Sequence, residues 1–402
     1  MTLCSRSLNE IHLRLNENKI GYCCKMKMPA ENTDQHTRVF NDLFTGLKPS
    51  ECTVCWNAEE SSMESWRQIG NRNYDAAIIK IEVTLDNTCD LACAYCYGNL
   101  SSVWQSAIRT APEKFRSNLQ ALGCSADNVS EQTAETLIYD SLIRAATADN
   151  INVVEVALLG GEPFLSPFFK KNKLFELINT FFDKITSKKK LNISIITNGN
   201  TPKKLLEKYI SQLELLQSNY PYTLNFNIMI SNESVGSTSD YIRFGSNWNL
   251  FSDNVNRWLS SKIKNIGFLA TVNSLSIIKT KDFINFAHKT FLKHNRKFQV
   301  SLSTVYDPVE FSLSILDSTF LKYLDKANKY CQKNSLQISQ YGHSFEDLKG
   351  HIGKNISQKE KLKTTFEYYK EIRKVNFLDI EPVIYKYIME NNNEYNTRKL
   401  LR

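Results

Sequence analysis

An α/β protein is what this sequence predicts: a partial (β/α)6 TIM-like barrel with a small N-terminal Cys-rich hairpin module and C-terminal helices. Three observations carry the prediction. From residue 76 onward, short runs rich in Val, Ile and Phe alternate with longer stretches of 3.6-residue apolar periodicity, the signature of βαβ units on a parallel sheet. Six such runs occur before residue 305, enough for an open version of the eight-unit barrel. Eight of the ten cysteines stand before residue 97, five of them in the loop-rich stretch 1–75, which lacks that alternation.

The first stretch reads as follows. Ile11–Leu15 alternates like a short strand, Asn16–Lys19 is a turn and Ile20–Cys24 returns, giving a hairpin with Cys4 before it and Cys23-Cys24 at its far end. Phe40–Leu47 has helical spacing and leads into Cys52-Thr53-Val54-Cys55. Cys4, Cys23, Cys52 and Cys55 can therefore close around one ion or cluster, with zinc as the plain structural occupant. Spacing does not decide between Cys23 and Cys24; Cys23 is taken as the ligand.

The barrel, over 76–305, has expected strands at Ile78–Leu85, Val153–Leu159, Asn192–Thr197, Thr223–Ile230, Ile266–Val272 and Phe298–Leu302. Helices are expected over Glu131–Ala146, Pro167–Ile185, Pro202–Leu216, Asn247–Lys262 and Lys281–Lys293. Thr201-Pro202 supplies an N-cap and a proline at the first helical position. Residues 306–402 add two or three amphipathic helices, Phe366–Val375 among them, expected to pack across the barrel.

A chain of 402 residues with 42% hydrophobic residues can bury a large core. No apolar run approaches the length of a membrane span, and Met1–Glu17 is charged where a signal peptide is apolar, so a cytoplasmic protein with no membrane partner is expected. In that compartment cysteines read as metal ligands or free thiols, Cys124 and Cys331 as inert core thiols. The net charge of +8 is concentrated in patches such as Lys188-Lys189-Lys190 and Lys359–Lys363; without interleaved aromatics these read as solvated helix faces, and nucleic acid is not expected as a partner.

The chemistry-bearing stretch follows the first barrel strand. Cys89, Cys93 and Cys96, at x3 then x2 spacing, can offer three thiolates from one tight loop. A [4Fe–4S] cube takes four ligands, so three leave one iron open to a non-protein ligand, whereas zinc favours two-knuckle sets. The second strand runs into Gly160-Gly161-Glu162-Pro163, where glycines permit close backbone approach to a ligand and the Glu162 carboxylate suits an ammonium donor.

Cys-x3-Cys-x2-Cys with the aromatic Tyr95 just before its last cysteine resembles the hallmark of the radical S-adenosylmethionine (SAM) superfamily. The resemblance covers about residues 76–305. It implies that Cys89, Cys93 and Cys96 hold a [4Fe–4S] cluster whose open iron chelates SAM. It also implies that Gly160-Gly161-Glu162-Pro163 meets the SAM amino group and that Thr197-Asn198-Gly199 forms a family turn at the third strand end. Ser231 would bond the ribose hydroxyls, Glu233 would face the substrate, Arg243 would pair with the SAM carboxylate and Asn273 would border the adenosine pocket. The N-terminal cysteines resemble the auxiliary-cluster module of the SPASM/Twitch branch, which implies a second [4Fe–4S] cluster; here the module precedes the barrel rather than following it. The implied activity is hydrogen abstraction from a peptide or protein side chain leading to oxidation, crosslinking or epimerisation, with a reductant such as flavodoxin or ferredoxin as electron donor. The alternatives are a radical dehydrogenase of a small molecule such as a sugar or aminoglycoside, and a zinc-stabilised protein that binds or modifies nucleic acid.

Overall fold

The structure, a computed structural model, describes residues 4–5, 10–15, 19–21, 23, 33–60, 65–72, 74–120, 131–184, 189–339 and 342–390. Cys24, Cys124 and Lys188 lie outside them. The chain divides into two compact units: one comprises Met1–Cys89, Ser125–Ile196 and Ser211–Asn227, the other Asp90–Cys124, Thr197–Ile210 and Ile228–Arg402.

In the first unit, β1 (Glu10–Arg14) and β2 (Lys19–Gly21) form the expected antiparallel hairpin, with Leu13 opposite Ile20. The hairpin does not stand alone, because β1 also pairs in parallel with β3 (Ile78–Thr84), placing Leu13 opposite Val83. Both sides of β1 find partners: Leu13 and Leu15 are buried, and the buried His12 lies 3.2 Å from the carboxylates of both Glu10 and Glu82. Next come β5 (Val153–Leu159), parallel to β3, and β6 (Lys190–Thr197), parallel to β5. The sixth strand's neighbour is β7 (Leu224–Ser231), which runs through both units. Alternation along β7 buries Leu224, Phe226, Ile228 and Ile230 on one face. The other face is a polar ladder in which Asn225 meets Asn192 at 3.1 Å and Asn227 meets Ser194 at 3.1 Å.

In the second unit, β7 is followed by β9 (Asn265–Val272) and β10 (Val300–Thr304), parallel with Leu302 opposite Ala270. A separate antiparallel pair joins β4 (Ala92–Cys93) to β8 (Arg243–Phe244). The main order is β10-β9-β7-β6-β5-β3-β1-β2, seven parallel strands with β2 as the antiparallel edge: the partial TIM-like barrel that the alternation predicts.

Several helices differ from expectation for local reasons. The single helix expected over Pro167–Ile185 is broken into Pro167–Lys170 and Lys173–Lys184, because Asn172 takes a left-handed conformation (φ 59°) that asparagine tolerates better than most residues. The helix expected over Phe366–Val375 spans Lys359–Glu371 instead, and Lys374 is left-handed (φ 56°) beyond its end. Among its described residues the C-terminal stretch holds four α-helices where two or three are expected: Leu321–Lys333, Phe345–His351, Lys359–Glu371 and Pro382–Met389. Two lysines of the supposedly solvated patches are buried. Lys189 donates to the Ala148 carbonyl at 2.5 Å, and Lys359 to that of Tyr387 at 3.3 Å while lying over the Tyr387 ring; the long side chain lets a charge cross apolar surface to a carbonyl. Among the described residues no helix is long and apolar enough to cross a membrane.

The strand-end glycines of β5 serve the fold first. Gly161 N–H donates to the Asp86 carbonyl at 2.8 Å and Glu162 N–H to that of Thr88 at 2.7 Å. A Cβ on Gly161 would sit 2.2 Å from the Thr88 carbonyl oxygen, and Gly160 is held at φ 130°. The close approach is thus to the backbone that leads into Cys89. Gly161→Ala should cost about 1–3 kcal/mol, the range for forcing atoms into a packed site, read as a lowered denaturant midpoint; an unchanged midpoint would show that this backbone contact yields freely.

Candidate active site

Within the second unit, the cysteine loop is tied down from several sides. Cys93 pairs with Arg243 across the β4–β8 ladder, and Ala94 N–H donates to the Ile242 carbonyl at 2.7 Å. Ser101 accepts from the Trp104 N–H at 3.1 Å, capping helix Ser102–Thr110, and its hydroxyl donates to the Leu91 carbonyl at 2.7 Å. Trp104 Nε1 in turn donates to the Cys93 carbonyl at 2.7 Å. Cys96 N–H closes a turn onto the Cys93 carbonyl at 3.0 Å. Burial pushes the Cys93 thiol up to about 11, against the opposing pull of Arg243, and the Cys96 thiol up to about 12, with Cys93 adding to it. Both are therefore protonated thiols unless a cation is bonded to them. Cys89, half-buried, is the last residue of the first unit.

Behind the loop lies a buried ionic cluster. Arg243, 4% exposed, donates to Glu233 Oε2 from Nη2 at 2.7 Å and from Nε at 3.2 Å, and Glu233 has no exposed surface. Tyr95 completes the triangle: its hydroxyl donates to Glu233 Oε2 at 3.0 Å and accepts from Arg243 Nη2 at 2.8 Å. Burial alone would lower the guanidinium, but the Glu233 carboxylate holds it above its ordinary value; burial drives the Tyr95 phenol well up, so it stays a neutral donor. Arg243 thus engages Glu233, and Glu233 is an internal counter-ion rather than a solvent-facing group.

A second cation was invisible in the sequence. Arg373, just past helix Lys359–Glu371, is stacked over Phe244 at 4.0 Å, Tyr369 at 4.1 Å and Trp104 at 4.4 Å, and donates to the Ala92 carbonyl at 3.4 Å. It braces β4 from 281 positions downstream, a separation no local pattern reveals.

The remaining expected residues fall as follows. Thr197 Oγ1 accepts from Gly199 N–H at 3.2 Å, and Asn198 Nδ2 donates to Asp90 at 2.8 Å, linking the end of β6 to the start of the cysteine loop. Ser231 is half-buried at the end of β7. Asn273 is wholly buried and its amide is engaged by its own turn, accepting from Leu275 and Ser276 N–H and donating to the Thr271 carbonyl. In the first unit, Glu162 is 1% exposed and accepts from Phe164 N–H at 3.2 Å, capping the turn Pro163–Leu165.

Cys4, Cys23 and Cys52 share one apolar cluster with Val39, Leu43 and Trp56, and burial, then the neighbouring Cys4 and Cys55, push Cys52 up to about 12. The Arg67 guanidinium opposes that rise while stacking on Trp56 at 5.0 Å. Among the described residues, no group of three or more His, Cys, Asp or Glu side chains stands close enough together to hold one metal ion.

The second unit also keeps buried polar atoms without protein partners at strand ends: Asn232 Nδ2, Glu233 Oε1 and Ser234 Oγ after β7, and Thr304 Oγ1 on β10. Each such atom costs about 1–3 kcal/mol unless a ligand or water satisfies it. That donor and acceptor set fits a polar cofactor, and the desolvated thiols of Cys93 and Cys96 are donors that only a bound cation would deprotonate.

No protein-family profile matches the chain, and no curated protein matches it. Among solved structures it is similar to native anSMEcpe with bound AdoMet and Cp18Cys peptide, at 17% identity over 65% of this chain and 63% of that one, TM-score 0.43. It is also similar to Streptococcus suis SuiB bound to S-adenosylmethionine, at 12% identity over 76% and 59%, TM-score 0.40, and to SuiB bound to precursor peptide SuiA, at 12% over 84% and 72%, TM-score 0.39. The chain spans about three fifths of the length of the first of these.

Replacing Glu233 with Gln should destabilise the protein by about 3–5 kcal/mol, because it leaves the Arg243 charge buried and unpaired. A double replacement of Arg243 and Glu233 by Met and Leu should recover much of that loss in the same denaturant titration. A near-neutral Glu233→Gln would mean that the guanidinium reaches water.

Proposed function

We propose that this chain is a radical SAM enzyme whose substrate is a peptide or protein side chain. The observation that carries this reading is the Cys-x3-Cys-x2-Cys loop placed directly after a parallel barrel strand and braced by β8, with unsatisfied buried polar atoms at neighbouring strand ends of the second unit. Cys89, Cys93 and Cys96 would hold a [4Fe–4S] cluster. With SAM bound, that cluster would supply one-electron reductive cleavage of the sulfonium, the chemistry needed to abstract a hydrogen atom from the substrate.

The chain's own residues have definable tasks. Glu233 and Tyr95 hold Arg243 rigid and charged, and Arg243 fixes the strand opposite Cys93. Trp104 and Arg373 shield the loop backbone from water and satisfy its carbonyls. Gly160, Gly161 and Glu162 hold the backbone before Cys89, and Glu162 offers a buried carboxylate for an amino group. Glu233 Oε1 and Ser234 Oγ are available to a polar ligand, with Ser231 at the same strand end for hydroxyls. Cys4, Cys23, Cys52 and Cys55 would hold a second iron–sulfur cluster, whose role is to take an electron from the substrate or to position it; a flavodoxin or ferredoxin would deliver the first electron.

Anaerobically reconstituted protein given dithionite and SAM should form 5′-deoxyadenosine, and Cys96→Ala should abolish it, since two thiolates cannot hold the cube with a defined open iron. Turnover near wild type in that variant would refute the ligand assignment. Iron content tests the N-terminal set: about eight irons per chain are expected in wild type and about four in Cys52→Ala/Cys55→Ala, at four per cube. Four irons and one zinc in wild type would make the N-terminal set a structural staple.

A further inference from the structure

The second unit contains a cavity of about 460 Å³ that none of the expected site residues lines. One side is the cysteine loop itself, through Ala94 and Tyr97, and another is the turn 307–311 that follows β10. The deep wall is aromatic: Trp104 and Tyr368 stack with centroids 6.4 Å apart, and Phe115 meets Tyr368 edge-on at 5.4 Å. The rim is acidic. Asp307, Glu310 and Glu360 line it against the single cation Lys361, in a chain whose net charge is +8. Glu360 is already ion-paired with Lys363 at 2.9 Å, but among the described residues neither Asp307 nor Glu310 has a basic partner. Asp307 accepts from the Tyr97 hydroxyl, which ties the carboxylate to the cysteine-loop side of the cavity.

Aromatic faces beside unpaired carboxylates select one chemistry. An alkyl cation can lay its stem on Trp104 and Tyr368 and its charge at Asp307 and Glu310, combining cation–π attraction with charge-assisted hydrogen bonds. An anion meets two carboxylates, and a neutral apolar chain leaves both without a cationic partner. The volume is that of a small-ligand pocket, room for one long side chain and its backbone. We propose that this cavity is a recognition site for a cationic group, an ammonium or guanidinium on an alkyl stem. Resting on the function proposed above, the cation is a lysine or arginine side chain of the peptide substrate, held beside the cysteine loop.

Binding can be read without catalysis, by calorimetric titration of the anaerobically reconstituted protein with SAM. The probes are Ac-Gly-Gly-Lys-Gly-Gly-amide, the same peptide with norleucine in place of lysine, and cadaverine as a free amine. The lysine peptide should bind about tenfold or more tighter than the norleucine peptide, the scale of one charge-assisted contact. Asp307→Asn/Glu310→Gln should erase that preference. Lys361→Glu should raise lysine-peptide affinity several-fold, a gain that a misfolded variant cannot produce. Equal binding of the lysine and norleucine peptides, or a preference that survives the double variant, overturns the site. Cadaverine binding as tightly as the lysine peptide overturns its assignment to a peptide. Protein that loads no iron yet keeps the lysine preference refutes the radical reading and sustains the cation site; protein that cleaves SAM with no such preference overturns the cation site alone.

Discussion

The buried contact between Arg243 and Glu233, closed into a triangle by Tyr95, is the constraint on which the second unit's site depends. Bringing two opposite charges out of water costs several kcal/mol per ion, and only good geometry with extra hydrogen bonds offsets it. Here the guanidinium meets Glu233 through two nitrogens and Tyr95 through one of them. Because Arg243 is itself a residue of β8, opposite Cys93 on β4, the ion pair fixes the strand on which the cysteine loop is hung. Arg373 repeats the device from the other side with aromatic faces instead of a carboxylate. Two cations of different local chemistry thus grip a two-stranded ladder too short to hold itself.

This arrangement separates rigidity from reactivity. The loop's backbone groups find protein partners, through Ile242, Trp104, Ser101 and Arg373, whereas Glu233 Oε1 and Ser234 Oγ are buried without any. A binding site preorganised in this way holds its shape before a ligand arrives and gains hydrogen bonds when one does. The aromatic residue Trp104 belongs to both aspects: its indole N–H anchors Cys93, while its ring forms part of the wall of the acidic-rimmed cavity.

Legibility followed the range of the interaction. Strands were readable because inside–outside alternation is local, and β5, β7 and β9 stand where Val, Ile and Phe recur. The cysteine motif was readable because its spacing lies within one loop. Long-range contacts were not: nothing near Ile11 reveals that β1 will lie beside β3, and nothing near Arg373 reveals Trp104. Composition misled where a charge was buried, as at Lys359, and periodicity misled where one residue, Asn172, could turn left-handed and break a helix. At Gly160-Gly161 the glycines also make room for the chain's own backbone at Asp86 and Thr88, a contact between segments far apart in sequence that no local pattern shows.

The central claim is that Cys89, Cys93 and Cys96 leave one iron of a [4Fe–4S] cluster open for SAM. Electron paramagnetic resonance of the dithionite-reduced, anaerobically reconstituted Cys52→Ala/Cys55→Ala protein tests it most directly, since the N-terminal cysteines are then removed from the signal. The account predicts the spectrum of a reduced [4Fe–4S] cluster whose g-values shift when SAM is added. A spectrum indifferent to SAM, or a colourless protein with no such signal, would contradict it.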